Sequence, residues 1–347
     1  MTLLLRTARA VLRSTPQGRR LIAHVEDLKA QRARLLAEIA QQRVEAAELK
    51  QRLEESQTLL GSFGEAPWVP NGHFYSPIQS RAELQRDLDR IYADPPRELP
   101  DIDLREHEQL ALLMELRPFF AEFPSAPRPK DGRRYGYDND AYNYGDGVLL
   151  NAMLRHLRPR RVVEVGSGHS SCLTLDTNDI SFVGAIDCTF IEPYPQRLHS
   201  LLKPGDRERI NIIPQRVQDV PLDVFRRLQA NDVLFIDSTH VSKIGSDVNR
   251  LFFEVLPLLA EGVYIHIHDV FYPFEYPQEW ALGDGRAWNE QYVLRALLQN
   301  SDALEIVLFN TFMTRFQRTF FEQYLPLALQ ERGGQIWLRK SRRAAGG

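Results

Sequence analysis

The chain has 347 residues, with 43 Lys and Arg against 46 Asp and Glu, and its formal charge of −3 gives no general attraction to nucleic acid. A hydrophobic content of 43% suits one large globular core with an extension, and no apolar run is long enough to span a bilayer. The two cysteines, Cys172 and Cys188, exclude a disulfide framework and read as reduced packing thiols, as expected of a cytoplasmic protein.

Residues 1–20 carry Arg6, Arg9, Arg13, Arg19 and Arg20 and no acid, a basic tail suited to peripheral contact with an anionic membrane surface. Its apolar run is too short for a signal peptide. Over 21–60 a heptad places Val25, Leu28, Arg32, Leu35, Ile39, Gln42, Ala46, Leu49, Leu53, Ser56 and Leu60 on one seam. Eight of these eleven are apolar, which predicts a coiled-coil helix and a homo-oligomer formed through residues 25–60, against the plainer reading of a helix packed on its own domain. The prolines of 61–130 mark a connector, interrupted by helical stretches at 81–92 and 105–116 that would cap the domain to follow.

From residue 131 onward the pattern changes to strands alternating with helices. A stretch rich in Tyr and Gly, 135–147, leads into a helix at 148–157. Then comes Arg161-Val162-Val163-Glu164-Val165-Gly166-Ser167-Gly168-His169-Ser170-Ser171, an apolar strand closing on an acid, a two-glycine turn and a helix start. Bare glycine backbone lets a ligand approach closely, and unpaired N–H groups at the helix start favour its polar or anionic groups. Further strands are expected at 188–192, 231–237, 262–269, 304–309 and 335–338, with helices at 195–202, 222–229 and 247–259 between them. An alternation of this kind predicts a doubly wound α/β sheet, mostly parallel, with ligand groups gathered at the strands' carboxyl ends. The aromatic segment 311–329 lacks glycine and separates the last two strands, which points to an antiparallel edge.

With these residues in view, the chain from about Tyr135 to Lys340 resembles the class I S-adenosylmethionine-dependent methyltransferases, in the branch that contains metal-assisted O-methyltransferases of catechols and sugars. The resemblance implies a reversed last strand and a domain over 131–347 that binds S-adenosyl-L-methionine. Carried over residue by residue, it implies cofactor contacts from Glu164, Gly166, Ser167, Gly168, Glu192, Asp219 and Asp237. It further implies a divalent metal, magnesium or manganese, on Asp237, His268 and Asp269. A histidine among the ligands departs from the family's acidic pair and suits manganese, iron or zinc better than magnesium.

Methyl transfer from a sulfonium requires an acceptor placed in line and relieved of its proton. His240, three residues beyond Asp237 in the loop leaving a strand, is the candidate general base, with Asp237 beside it as the second catalytic residue. His268 lies nearer the strand's end than His266, so His266 reads as a hydrogen-bonded interior histidine. The aromatic loop 271–280 faces a small-molecule or glycan acceptor on this reading, and Arg286 in a lid at 283–290 would meet an anionic group. Two other classes compete. A nicotinamide-dependent oxidoreductase would want a small third residue in the glycine turn, where Ser171 stands, and a non-catalytic scaffold would act through its coiled coil alone.

Overall fold

Helix α1, Pro16–Ser62, opens on a proline, whose missing N–H is not needed in a first turn, and contains no glycine between Gly18 and Gly61. Its seam residues Val25, Leu28, Leu35 and Ile39 are 40%, 49%, 58% and 46% exposed. The computed structural model describes residues 16–62, 68–123 and 126–341, so most of the basic tail assigned to membrane contact lies outside the described residues. The chain divides into two units, Met1–Pro70 and Asn71–Gly347. No helix among the described residues is long and apolar enough to cross a membrane.

The second unit is built on a seven-stranded sheet: β1 Arg161–Val165, β2 Asp187–Ile191, β3 Asn211–Ile213, β4 Val233–Ile236, β5 Tyr264–His268, β6 Leu304–Phe309 and β7 Gln335–Lys340. Its order is β3-β2-β1-β4-β5-β7-β6. Strands β1 to β5 pair in parallel, and β7 runs antiparallel to both β5 and β6. The reversed strand therefore lies inside the sheet and β6 forms the edge, which corrects the antiparallel edge expected from sequence. The cause is the helical hairpin after β6, which returns the chain so that Gln335 stands opposite His268 and Ile336 opposite Phe309. The three-residue β3 is too short to show a pattern of its own in the sequence.

The longer helices of this unit are α2 Glu106–Ala121, α3 Tyr144–Leu157, α4 His169–Phe182, α5 Gln196–Leu201, α6 Glu290–Gln299, α7 Asn310–Phe316 and α8 Arg318–Tyr324. All four residues of β4 are fully buried, as a central parallel strand covered on both faces requires. The cap joins the same core: α2 buries Leu113, Leu116 and Phe120, and its buried Gln109 accepts the Phe309 N–H at 2.6 Å. Cys172 and Cys188 are buried and free.

Ahead of α3 the chain is pinned by Arg134, whose side chain is 1% exposed. Its guanidinium donates to Asp176 at 2.7 Å, to Asp179 at 2.9 Å and to Asp206 at 2.7 Å, while the Arg134 and Tyr135 backbone N–H groups donate to Asp176. A charge at this depth is tolerable only with such a complete set of partners.

Candidate active site

The glycine turn after β1 is shaped by its neighbours. Gly166 has φ 82°, donates to the Ile191 carbonyl at 3.0 Å, and lies so close to Asp237 that a Cβ would overlap the Asp237 carbonyl oxygen. Only glycine meets both demands. Gly168 is extended backbone, and a Cβ there would meet only the flexible Arg197 side chain, at 3.5 Å. Glu164 sits beneath the turn, fully buried, and accepts from Ser170 Oγ at 2.6 Å and Ser171 Oγ at 2.8 Å. Burial pushes its pKa up to about 8, against the pull of the two hydroxyls. Its side chain therefore fixes the first turn of α4 rather than facing the cleft.

A cleft of about 260 Å³ opens above this turn, lined by Gly166, Ser167, Gly168, Glu192 and Asp237 among others. Glu192 closes it at the end of β2, accepting the Ser167 N–H at 3.2 Å and the Tyr194 N–H at 2.8 Å. Asp219, expected among the cofactor contacts, is not brought here. It follows β3 in a short 3-10 turn, with its carboxylate on the Arg216 guanidinium at 2.8 Å.

The second half of the site lies at the ends of β4 and β5. The His240 backbone is left-handed (φ 60°), which swings the ring back toward the strands. Its Nε2 stands 3.3 Å from Asp237 and 3.5 Å from Asp269, and its Nδ1 is 2.8 Å from Glu290, a buried acid that also accepts from Ser238 Oγ at 2.9 Å. Burial alone would lower the His240 pKa, but the bonds to Asp237 and Glu290 outweigh it and raise it to about 10. The expected general base thus holds a proton at neutral pH while the carboxylates beside it are uncompensated. Burial would likewise raise Asp237, yet His268 and His240 hold its carboxyl well below the usual carboxylate range.

Asp237, His240 and Asp269 form a group with one ligand atom each, all within 4.8 Å of one another. His240 joins the two expected carboxylates in this group, and the expected ligand His268 stands beside it. His268 turns its Nε2 to Asp146, 3.2 Å away on α3, and keeps Nδ1 3.5 Å from Asp237 and 3.7 Å from Asp269. Two carboxylates and an imidazole fit a divalent cation, and the Glu290 contact at Nδ1 is the carboxylate–histidine pairing that orients a ligating ring. His266 is interior as expected, but neither ring nitrogen has a hydrogen-bond partner. It stacks on Phe235 at 4.1 Å, and burial drives its pKa well below the ordinary value.

In the segment expected to form a lid, Trp288 packs on the His240 ring at 4.3 Å. Arg286, expected to meet an anionic group, is instead committed within the lid: it lies over Trp280 at 4.1 Å and Trp288 at 4.8 Å and pairs with Asp284 at 2.9 Å. Tyr142, in the Tyr- and Gly-rich stretch 135–147 but without a role of its own in the sequence reading, is 1% exposed, lines the cleft, and also lines a cavity of about 600 Å³ beside His268 and Asp269. Asp146 and Glu290 likewise fall in the stretches 135–147 and 283–290 without roles of their own in the sequence reading. The first sits in the N-terminal turn of α3 and the second in that of α6, where an acid ordinarily reads as a complement to the helix dipole.

A family described as a methyltransferase domain matches residues 163–270. An uncharacterized protein of Archaeoglobus fulgidus is 34% identical over 167 residues, covering 47% of this chain and 74% of that protein. The chain belongs to the class I S-adenosylmethionine-dependent methyltransferases. Two solved structures align over most of the methyltransferase at low similarity. One is an SAH-bound Podospora anserina methyltransferase, with 15% identity, a TM-score of 0.38, and 80% of this chain and 100% of that one covered. The other is the O-methyltransferase TomG from Streptomyces achromogenes, with 14% identity, a TM-score of 0.39, and 75% and 96% covered. The matched span of the methyltransferase runs from β1 to just past β5, so it includes Glu164, Glu192, Asp237, His240 and Asp269 and stops short of the lid and Glu290.

Proposed function

We propose that the methyltransferase moves the methyl group of S-adenosylmethionine to a hydroxyl oxygen of a small molecule or sugar. The observation that carries this reading is the meeting of two features at the carboxyl ends of β1, β2, β4 and β5. The Gly166–Glu192 cleft suits a nucleoside sulfonium, and the Asp237–His240–Asp269 group lies beside it, with Tyr142 lining both cavities. On this reading Glu192 accepts the ribose hydroxyls, and the Ser167 and Gly168 turn receives the polar end of the donor. Holding the two reactants in line supplies much of the barrier reduction, on the order of 7–11 kcal/mol in well-aligned systems.

Asp237, Asp269 and His240 Nε2 would hold a divalent cation. Bound there, it would lower the pKa of an acceptor hydroxyl. Positive charge at the two carboxylates would also offset the field that keeps the His240 proton in place, which would leave Nε2 unprotonated and able to ligate. Trp288 shields the ring from water, and Glu290 stabilises whatever charge the imidazole carries.

Calorimetric titration with S-adenosylhomocysteine and, separately, NAD tests the donor assignment. Micromolar affinity for the former alone is expected, strengthened or made measurable in enthalpy by manganese. Gly166→Ala should abolish it and Gly168→Ala should not, because only the first forces a Cβ into the Asp237 carbonyl. Binding of NAD alone would favour the oxidoreductase reading, and binding of neither would favour a scaffold.

The reading includes a cytoplasmic homo-oligomer joined through residues 25–60, supported by the exposed apolar seam of α1. Light scattering on the full chain checks it: an oligomer is expected, reduced to a monomer by the pair Leu28→Glu and Leu35→Glu. A wild-type monomer would remove the oligomer.

A further inference from the structure

The 600 Å³ cavity beside Asp269 has a lining that the cofactor does not explain. Its body is aromatic, with Tyr92, Phe271, Tyr272 and Tyr276, and its remaining wall carries Arg315, Arg318 and Arg332. Of the four acids that also line it, Asp140 is exposed to solvent and the other three are engaged. Asp146 accepts from Gly334 N and Gln335 Nε2 at 3.0 Å each, Asp269 faces His240 and His268, and Glu275 accepts the Tyr292 hydroxyl. The arginines are held loosely by comparison. Arg315 pairs with Asp94, an acid 93% exposed in its side chain, and Arg318 pairs with Glu322 on its own helix. Surface pairs of this kind contribute about 0–1 kcal/mol and give way readily to a better-matched anion. Arg332 donates from Nε to the Leu329 carbonyl at 3.2 Å and meets no carboxylate among the described residues. Its backbone is fixed, since Asn310 Nδ2 donates to its carbonyl at 2.9 Å, so the guanidinium projects from an anchored point.

We propose that the acceptor is anionic: it carries a carboxylate or phosphate that seats on Arg315, Arg318 and Arg332, its body lies against the tyrosine and phenylalanine rings, and its hydroxyl reaches the Asp269 end. Planar guanidinium groups match both oxyanions in bidentate fashion, which lysines would not do. Only the hydroxyl placement rests on the methyl-transfer reading; the anion seat stands on the cavity alone.

The test is binding of three probes of similar size, phenyl phosphate, benzoate and benzyl alcohol, to the wild-type protein saturated with S-adenosylhomocysteine. At least one anion is expected to bind about tenfold or more tighter than the neutral alcohol, a difference of about 1.4 kcal/mol. Whichever anion binds more tightly identifies the group, phosphate or carboxylate. Arg332→Gln, together with the double variant Arg315→Gln/Arg318→Gln, should weaken the anions about tenfold and leave S-adenosylhomocysteine affinity unchanged. Equal binding of the alcohol, or anion affinity indifferent to all these substitutions, overturns the proposal. If wild type fails to bind S-adenosylhomocysteine but still discriminates the anions, the anion seat is supported and the methyl-transfer reading is lost.

Discussion

Replacing His240 by asparagine is expected to lower turnover by about 10²–10⁴-fold while S-adenosylhomocysteine affinity changes by less than about twofold. Asparagine retains a side-chain N–H at the place of Nδ1, so the buried Glu290 keeps its donor and the fold is not burdened with an unpaired acid. What disappears is Nε2, the atom that faces Asp237 and Asp269. The readout is release of S-adenosylhomocysteine with an acceptor that the wild-type protein methylates, alongside calorimetry for binding. Unchanged turnover would remove His240 from the chemistry. The same variant carries a pH signature. The His240 pKa is raised from 6.5 to about 10, so the stability its proton brings is fully present below about pH 6.5 and is lost as pH rises through about 10. Thermal unfolding of wild type minus variant should therefore decline over that window.

Arg134→Met is expected to cost about 3 kcal/mol of folding stability, because it strips the buried Asp176 and Asp206 of their main donor and leaves them, as cations, only Lys203 at 3.6 Å and Arg209 at 3.0 Å. For a unit of this size that corresponds to a melting point lower by roughly 10 °C. Burial would raise the pKa of Asp206, but hydrogen bonds from Arg134 first, then from the Lys203 N–H and Arg209, outweigh it and bring it to about 2 from 3.8. That contribution is present above about pH 3.8 and is lost as pH falls through about 2, so the variant's deficit should shrink in acid. Arg134 and Tyr135 also tie the start of the segment that carries Tyr142 to α4, so weaker cofactor binding is expected to accompany the loss. A change under about 1 kcal/mol would show that the cluster is solvated rather than structural.

The strands that form the floor of the site were legible because buried parallel strands need mainly apolar runs: 233–236 is wholly apolar, and 162–165 and 264–268 are apolar but for Glu164 and for His266 and His268. Gly166 was legible for a related reason, since a turn that brings backbone against backbone admits no side chain. The three residues of β3 pair with β2 but show no periodicity, and the place of β7 inside the sheet depends on a helical hairpin whose path no local pattern encodes.

By itself the sequence determined the alternation of strands and helices, the glycine turn, Glu192 and Asp237, all products of short-range demands on backbone and burial. Only the tertiary structure decided how the charged side chains of the candidate site pair. Glu290 meets His240 across fifty positions of chain, Asp146 meets His268 Nε2 across more than a hundred, and Arg286 packs on Trp280 of its own segment. Such choices belong to the tertiary fold because a buried charge takes whichever partner the packing brings within hydrogen-bond reach, and sequence separation has no part in that selection.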